Sequence, residues 1–317
     1  MQVNDLIFKE LLKRGYSLEG KTRVWNIADS KLWYLIPEQA QAYLDLDKDK
    51  LYKKFTGQSQ WQQMIKENIK ELNDEIGSGP INVIDLGCGD GTKTAFILKE
   101  LLAFNPNLKM RYCPIDISGH MVSKAIETFS KLNFGEVVEF KWNISDFENL
   151  ENITPLLRKG EFKKNVIFFL GNTLDNFEIH EILYAIKVAM DKEDLLVIDT
   201  AINDHNQESR VGTYEKSERF NEWLIHIPLQ LGLSRNDVEF GGRFRNSRIE
   251  MYYTLKKDCK VSFLDKTVYF NKGDQIIVVV AYKYEREDMK GYLNMHFSDV
   301  SVKFSEDNAK ILAVCKR

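Results

Sequence analysis

The chain has 317 residues, 44% hydrophobic and 29% charged, with a formal net charge of −3, which fits one large globular domain or two packed ones and excludes a disordered polypeptide. That charge provides no global attraction for nucleic acid or an anionic membrane. Four scattered cysteines, Cys88, Cys113, Cys259 and Cys315, show no CxxC or CxxH spacing, so neither a disulfide framework nor a zinc site can be read from them.

In chain order, residues 1–56 are aromatic-rich and without a clear period, and they lack the apolar core of a signal peptide. No apolar run approaches the roughly 20 residues of a membrane-spanning helix, so a cytoplasmic protein is expected. From Trp61, apolar residues recur at intervals of three or four through Met64, Ile65, Ile69, Leu72 and Ile76, predicting a helix that "GSGP" at 77–80 ends. A regular alternation follows: strand 81–86, helix 92–104, strand 109–115, helix 119–132, strands 136–142 and 165–171, helix 178–190 and strand 194–200. Strands alternating with helices, some apolar on both faces, imply a doubly wound parallel sheet of the α/β class. After Thr200 the pattern changes. A polar stretch over 203–212 leads to a helix around 216–231. "RIEMYYTL", "KVSFL", "KTVYF" and "QIIVVVAYKY" then read as antiparallel strands of a second, smaller β-rich lobe. The tail from Ser301 reads as a closing hairpin.

The first strand of the alternation runs into Gly87, Gly89 and Gly91. A dinucleotide fingerprint G-x-G-x-x-G needs glycine at Thr92, so this is another cradle, D-x-G-x-G-x-G. Glycines at every second residue bend the chain tightly and let backbone amides approach a ligand at a helix N-terminus. Asp85 at the strand end can anchor the loop or accept from an amino group. The pattern resembles motif I of the class I S-adenosyl-L-methionine (SAM) methyltransferases. Asp116, ending the next strand, can take both ribose hydroxyls. In "NISDF", Asp146 can reach an adenine amine and Phe147 can cover the ring. Each acid taken alone is equally a helix cap.

"FFLGNTLDNF" at 168–177 is similar to the L-G-x-T-x-x-N-F element of the histidine-specific N-methyltransferase family, which makes trimethylhistidine for ergothioneine and has members that methylate an ergot-alkaloid precursor. Lys93-Thr94 after the glycine loop matches that family's G-x-G-x-x-x-K-T. "RIEMYYTL…VYFNKGDQI" resembles its I-E-M strand and F-x-x-G-[ED] turn. The resemblance covers about residues 80–290. It implies a SAM-binding core over 57–200 and 287–317, and a substrate lobe from 1–56 and 201–286. It also implies a cofactor set of Asp85, Gly87, Gly89, Gly91, Lys93, Asp116, Ile117, Asp146, Phe147, Gly171 and Asn172. Asn176 matches the asparagine that holds the substrate's amino or carboxylate group; alternatively it caps the helix at 178. Lys93 is otherwise a solvated side chain.

Where the family reads imidazole with a glutamate and a serine, this chain has Val279 and Ala281. Aliphatic groups cannot select histidine by hydrogen bonding, so the expected acceptor is an amine-bearing small molecule other than histidine. Tyr214, Glu250 and Tyr252 complete the candidate pocket, with Tyr214 as the candidate near the reacting amine, and Glu250 either faces the cleft or is a solvated outer residue. No metal is needed. "GGRFRNSR" at 241–248 is either a basic patch for RNA or an acidic peptide, or a solvated loop. A protein or RNA methyltransferase, or a retired SAM-binding scaffold, are the alternatives.

Overall fold

The computed structural model describes residues 3–139, 143–171 and 173–317. Asn172, a cofactor candidate, lies outside the described residues, as does the end of the strand expected over 136–142. The chain forms two compact units, residues 50–204 with 284–317, and residues 1–49 with 205–283. Its strands are β1 (Ser17–Glu19), β2 (Thr22–Asn26), β3 (Ile81–Leu86), β4 (Met110–Ile115), β5 (Glu136–Val137), β6 (Lys164–Phe169), β7 (Leu195–Ala201), β8 (Val238–Arg245), β9 (Arg248–Leu255), β10 (Cys259–Phe263), β11 (Lys266–Phe270), β12 (Gln275–Tyr282), β13 (Asp299–Phe304) and β14 (Lys310–Lys316).

The larger unit is a seven-stranded sheet in the order β5-β4-β3-β6-β7-β14-β13, parallel except where β14 runs antiparallel to β7 and β13. Alternation along each strand feeds two cores. Ile81, Val83, Met110, Tyr112, Val166 and Phe168 pack with the helices Gln58–Ile76, Thr92–Phe104 and Gly119–Leu132. Ile84, Leu86, Cys113, Ile115, Ile167 and Phe169 pack with Leu150–Leu157, Ile179–Ala189 and Arg286–His296. The last of these helices carries no strong apolar stripe and escapes the sequence reading. Its end also brings His296 Nε2 to 3.1 Å from His180 Nδ1, a pairing that sequence spacing hides.

The smaller unit is a five-stranded sheet, β1-β2-β12-β9-β8, with β10 and β11 forming a separate hairpin. Three expectations are corrected here. The polar stretch after Thr200 contains a helix, Gln207–Glu215. The helix expected over 216–231 is two, Glu218–Leu224 and His226–Gln230. "GGRFRNSR" is no solvated loop: it belongs to the β8–β9 hairpin, where Arg243 pairs across the strands with Glu250.

A β-bulge between Ile277 and Val279 reverses the alternation of β12. Val279 and Ala281 therefore oppose Met251 and Ile249 on one face, while Ile277 and Val280 oppose Tyr252 and Glu250 on the other. The first face is covered by the helices over 207–224: a Cβ on Gly242 would meet Val211 and Met251, and Tyr253 Oη donates to Asn221 Oδ1 at 2.7 Å. The second face is the inside of a curl. Arg245 on edge strand β8 pairs with Glu19 on the opposite edge strand β1, which requires the two edges to approach each other. Inside lie Val24, Ile277 and Val280, with Tyr252 and Tyr282 against them.

Candidate cofactor and acceptor sites

The glycine loop follows from the strand-to-helix junction it makes. Gly87, Gly89 and Gly91 all have positive φ, at 66°, 53° and 74°. Gly91 opens the helix Thr92–Phe104, and a Cβ there would sit 3.2 Å from both Ala125 Cα and Tyr112 Oη. A Cβ on Gly87 would meet Thr173 Cγ2 at 3.1 Å and Phe147 Cζ at 3.6 Å, whereas one on Gly89 would have nothing within 4 Å. Gly91 thus serves helix packing, and Gly89 leaves open space.

Asp85 lies beneath the loop, buried, where Tyr112 Oη donates to it at 2.7 Å. Burial pushes its carboxyl up to about 7, against the pull of the Tyr112 and Thr94 hydrogen bonds. Its hydrogen-bond partners are the side chains of Tyr112 on β4 and Thr94 in the helix after the loop. Asp116, at the end of β4, accepts backbone N–H bonds from Ser118 at 2.9 Å and Gly89 at 3.3 Å, and burial raises its carboxyl to about 6. Beyond it Ile117 and Ile144 are exposed. Asp146 stands at the N-cap position of the short turn Phe147–Asn149 without a side-chain capping bond, and the Phe147 ring packs on Phe169 and Phe177 at centroid distances of 5.4 and 5.3 Å.

Raised acids have a thermodynamic signature. Between about 4 and 7 the folded chain holds the Asp85 proton more tightly than the unfolded chain does, so this group's stabilising contribution is full at low pH and is lost as pH rises through 7. Asp85→Asn cannot ionise. In the protein without ligand it should melt several degrees above wild type at pH 8, the gap closing toward pH 5; a gap independent of pH would contradict the assignment.

Gly171 follows β6 with φ +79°, and its N–H donates to Asp199 Oδ2 at 3.0 Å. The Lys93 ammonium lies where a Cβ on Gly171 would stand, and it makes no ion pair among the described residues. Lys93 is therefore held against the loop after β6, rather than extended into solvent. Asn176 ends the turn Leu174–Asn176 half-buried, and it does not cap the following helix: Glu178 does, accepting from the Glu181 N–H at 2.9 Å. Asp199 and Tyr112 are the residues that sequence reasoning passed over; the acid ending "DLLVID", level with Asp116 in the sheet, was the available signal.

Candidate acceptor residues in the smaller unit are divided by its sheet. Glu250 is fully buried and takes Arg243 at 2.6 Å, Arg245 at 3.0 Å and Arg248 at 2.6 Å, so it is neither a solvated outer residue nor a free carboxylate. Tyr252 shares its face, under the Arg243 guanidinium. Val279 and Ala281 are on the opposite face, beneath the helix bearing Tyr214, whose ring stacks on Phe220. One pocket on one face of this sheet cannot include all four.

The family model for histidine-specific, SAM-dependent methyltransferases matches residues 52–316. The chain belongs to this family. It is accordingly a SAM-dependent methyltransferase, and its strand order, with β14 inserted antiparallel beside β7, is that of the class I methyltransferase sheet. No curated protein matches the sequence. Among solved structures, the chain is similar to a SAM-dependent methyltransferase from Clostridium acetobutylicum, with 16% identity, TM-score 0.41 and coverage of 81% of this chain and 91% of that one. It is also similar to the magnesium protoporphyrin IX methyltransferase of Synechocystis with bound SAH, with 12% identity, TM-score 0.43 and coverage of 87% and 93%. No helix among the described residues is long and apolar enough to cross a membrane.

Proposed function

We propose that this methyltransferase transfers the methyl group of SAM to the nitrogen of an amine-bearing, amino-acid-like small molecule other than histidine. The observation that carries this reading is at Val279 and Ala281. Where the family resemblance implies a glutamate and a serine reading imidazole, the chain presents two aliphatic side chains, Val279 only 5% exposed, on a strand face shared with Met251 and Ile249. Unpaired imidazole nitrogens against such a surface would cost their full desolvation, whereas an apolar group would not.

The cofactor's parts fit the residues present. Asp116 would take the ribose hydroxyls, Ile117, Asp146 and Phe147 the adenine, and Lys93 the carboxylate, with Gly89 leaving room for backbone approach. When bound, SAM supplies a methyl group carried on a sulfonium. The protein's share is to bind, to orient and to exclude water, so that an amine nitrogen stands in line with the methyl. Asn176, whose side-chain amide makes no hydrogen bond among the described residues, is available to hold the acceptor's amino or carboxylate group. An acceptor amine must lose its proton first, which desolvation favours.

A macromolecular acceptor receives less support. Arg243, Arg245 and Arg248 direct their charge at Glu250 and Glu19, which leaves the basic stretch at 241–248 without a free patch for RNA or acidic peptide. The test is SAH release from SAM with a panel of amino acids, biogenic amines and a small-metabolite extract, histidine included. Release with a non-histidine amine, and a mass gain of one or more methyl groups on nitrogen, is expected. Release with histidine alone would overturn the acceptor assignment. No release while SAM still binds would favour a macromolecular acceptor or a retired scaffold.

The three glycines separate binding from folding. Gly91→Ala should cost roughly 2–4 kcal/mol of stability, from a left-handed non-glycine residue plus a Cβ pressed on the Ala125 backbone. Gly89→Ala carries only the conformational cost, about 1–2 kcal/mol, yet should weaken SAM binding at least tenfold by filling the open space of the loop. Chemical denaturation and SAM titration calorimetry on both variants check the division.

A further inference from the structure

Asp199 is a buried acid that none of the roles above uses. It is 1% exposed at the C-terminal end of β7; one oxygen accepts the Gly171 N–H and the other, Oδ1, is buried with no hydrogen-bond partner. A buried carboxylate using half its hydrogen-bonding capacity is expensive, and an apolar side chain of the same size would fill the position without that cost. What the acid gives in return is a fixed Gly171. The next residue, Thr200, donates to Asp175 Oδ1, and Asp175 is itself buried. Successive strand residues point to opposite faces, so Gly171 and Asp175 are each tied to β7, one from either side of the sheet. The Gly171 end of that segment is the seat on which the Lys93 ammonium rests.

We propose that Asp199 is a positioning residue for SAM binding: acting through the Gly171 N–H, it holds Gly171 in the conformation that seats Lys93 for the cofactor's carboxylate. Asp199 touches no cofactor atom in this scheme; its effect passes through Gly171 to Lys93.

A double-mutant cycle read by SAM calorimetry tests it, with wild type, Asp199→Leu, Asp199→Asn, Lys93→Ala and the Asp199→Leu/Lys93→Ala pair. Leucine removes the acceptor and fills the space; asparagine keeps an oxygen for the Gly171 N–H. The expected result is a SAM Kd raised tenfold or more by Asp199→Leu, within about threefold of wild type for Asp199→Asn, and raised by less than threefold when Asp199→Leu is added to Lys93→Ala. A role confined to folding predicts a lower melting temperature with independent, multiplicative effects on Kd. That pattern, an unchanged Kd in Asp199→Leu, or an asparagine variant as weak as the leucine one would overturn the proposal. Asp199→Ala replaces the leucine variant in the same cycle if the latter does not fold.

Discussion

Asp116→Ala should raise the dissociation constant for SAM by about a hundredfold or more while leaving the far-ultraviolet circular dichroism of the chain unchanged. A carboxylate at the end of β4 that receives two ribose hydroxyls makes two charge-assisted hydrogen bonds, each contributing about 1.5–3 kcal/mol, and the loss of both corresponds to two or more powers of ten in affinity. Protonation should act in the same direction. Burial raises the Asp116 carboxyl to about 6, so the charged acceptor is present above that pH and disappears below it. SAM affinity should therefore fall as pH drops through 6 in wild type, and Asp116→Asn should bind weakly with a flattened profile. Calorimetric titrations between pH 5 and 8 on the three proteins decide this. Wild-type affinity unchanged across that range would remove Asp116 from the binding role.

Glu250→Ala should destabilise the protein by about 3 kcal/mol in chemical denaturation. The carboxylate is fully buried and holds three guanidinium groups, and removing one partner of a buried ionic cluster leaves the others uncompensated. The lower end of the usual 3–5 kcal/mol is appropriate because the arginines keep about a quarter of their side-chain surface in water. Glu250→Gln keeps the volume and hydrogen-bonding capacity but not the charge, and should fall between. SAM affinity should not change in either. A stable Glu250→Ala protein with altered acceptor preference would instead return Glu250 to the acceptor site.

The larger unit was legible in the sequence because its local signals agree with its tertiary role. The strand at 81–86 and the helices at 92–104 and 119–132 lie where periodicity puts them, since each buries the face that its pattern marks. The smaller unit hides its pattern. β8 carries arginines toward the inside of the curl, where Glu250, Glu19 and Gln275 receive them, so "VEFGGRFR" has the polarity of a loop and the geometry of a strand. The helix Gln207–Glu215 is polar over most of its length and so gave no stripe to read. The same contrast divides the candidate site. Asp116 and the glycines stand at strand ends, where the chain's own connectivity brings them together. Val279, Ala281, Glu250 and Tyr252 depend on the register of two strands and on one extra residue at the bulge, and nothing in "QIIVVVAY" says which residue that is.

The place of β12 has a consequence for how the chain is made. This strand joins β2, more than two hundred residues earlier, to β9, and so completes a sheet whose first strands leave the ribosome long before it does. β14, which pairs with β7 and β13, is later still. Both sheets therefore wait for a strand that is synthesised well after the ones it joins. Until it emerges, β2 and β7 each have an open edge, and those edges are the part of a nascent or truncated chain that a holdase would need to shield.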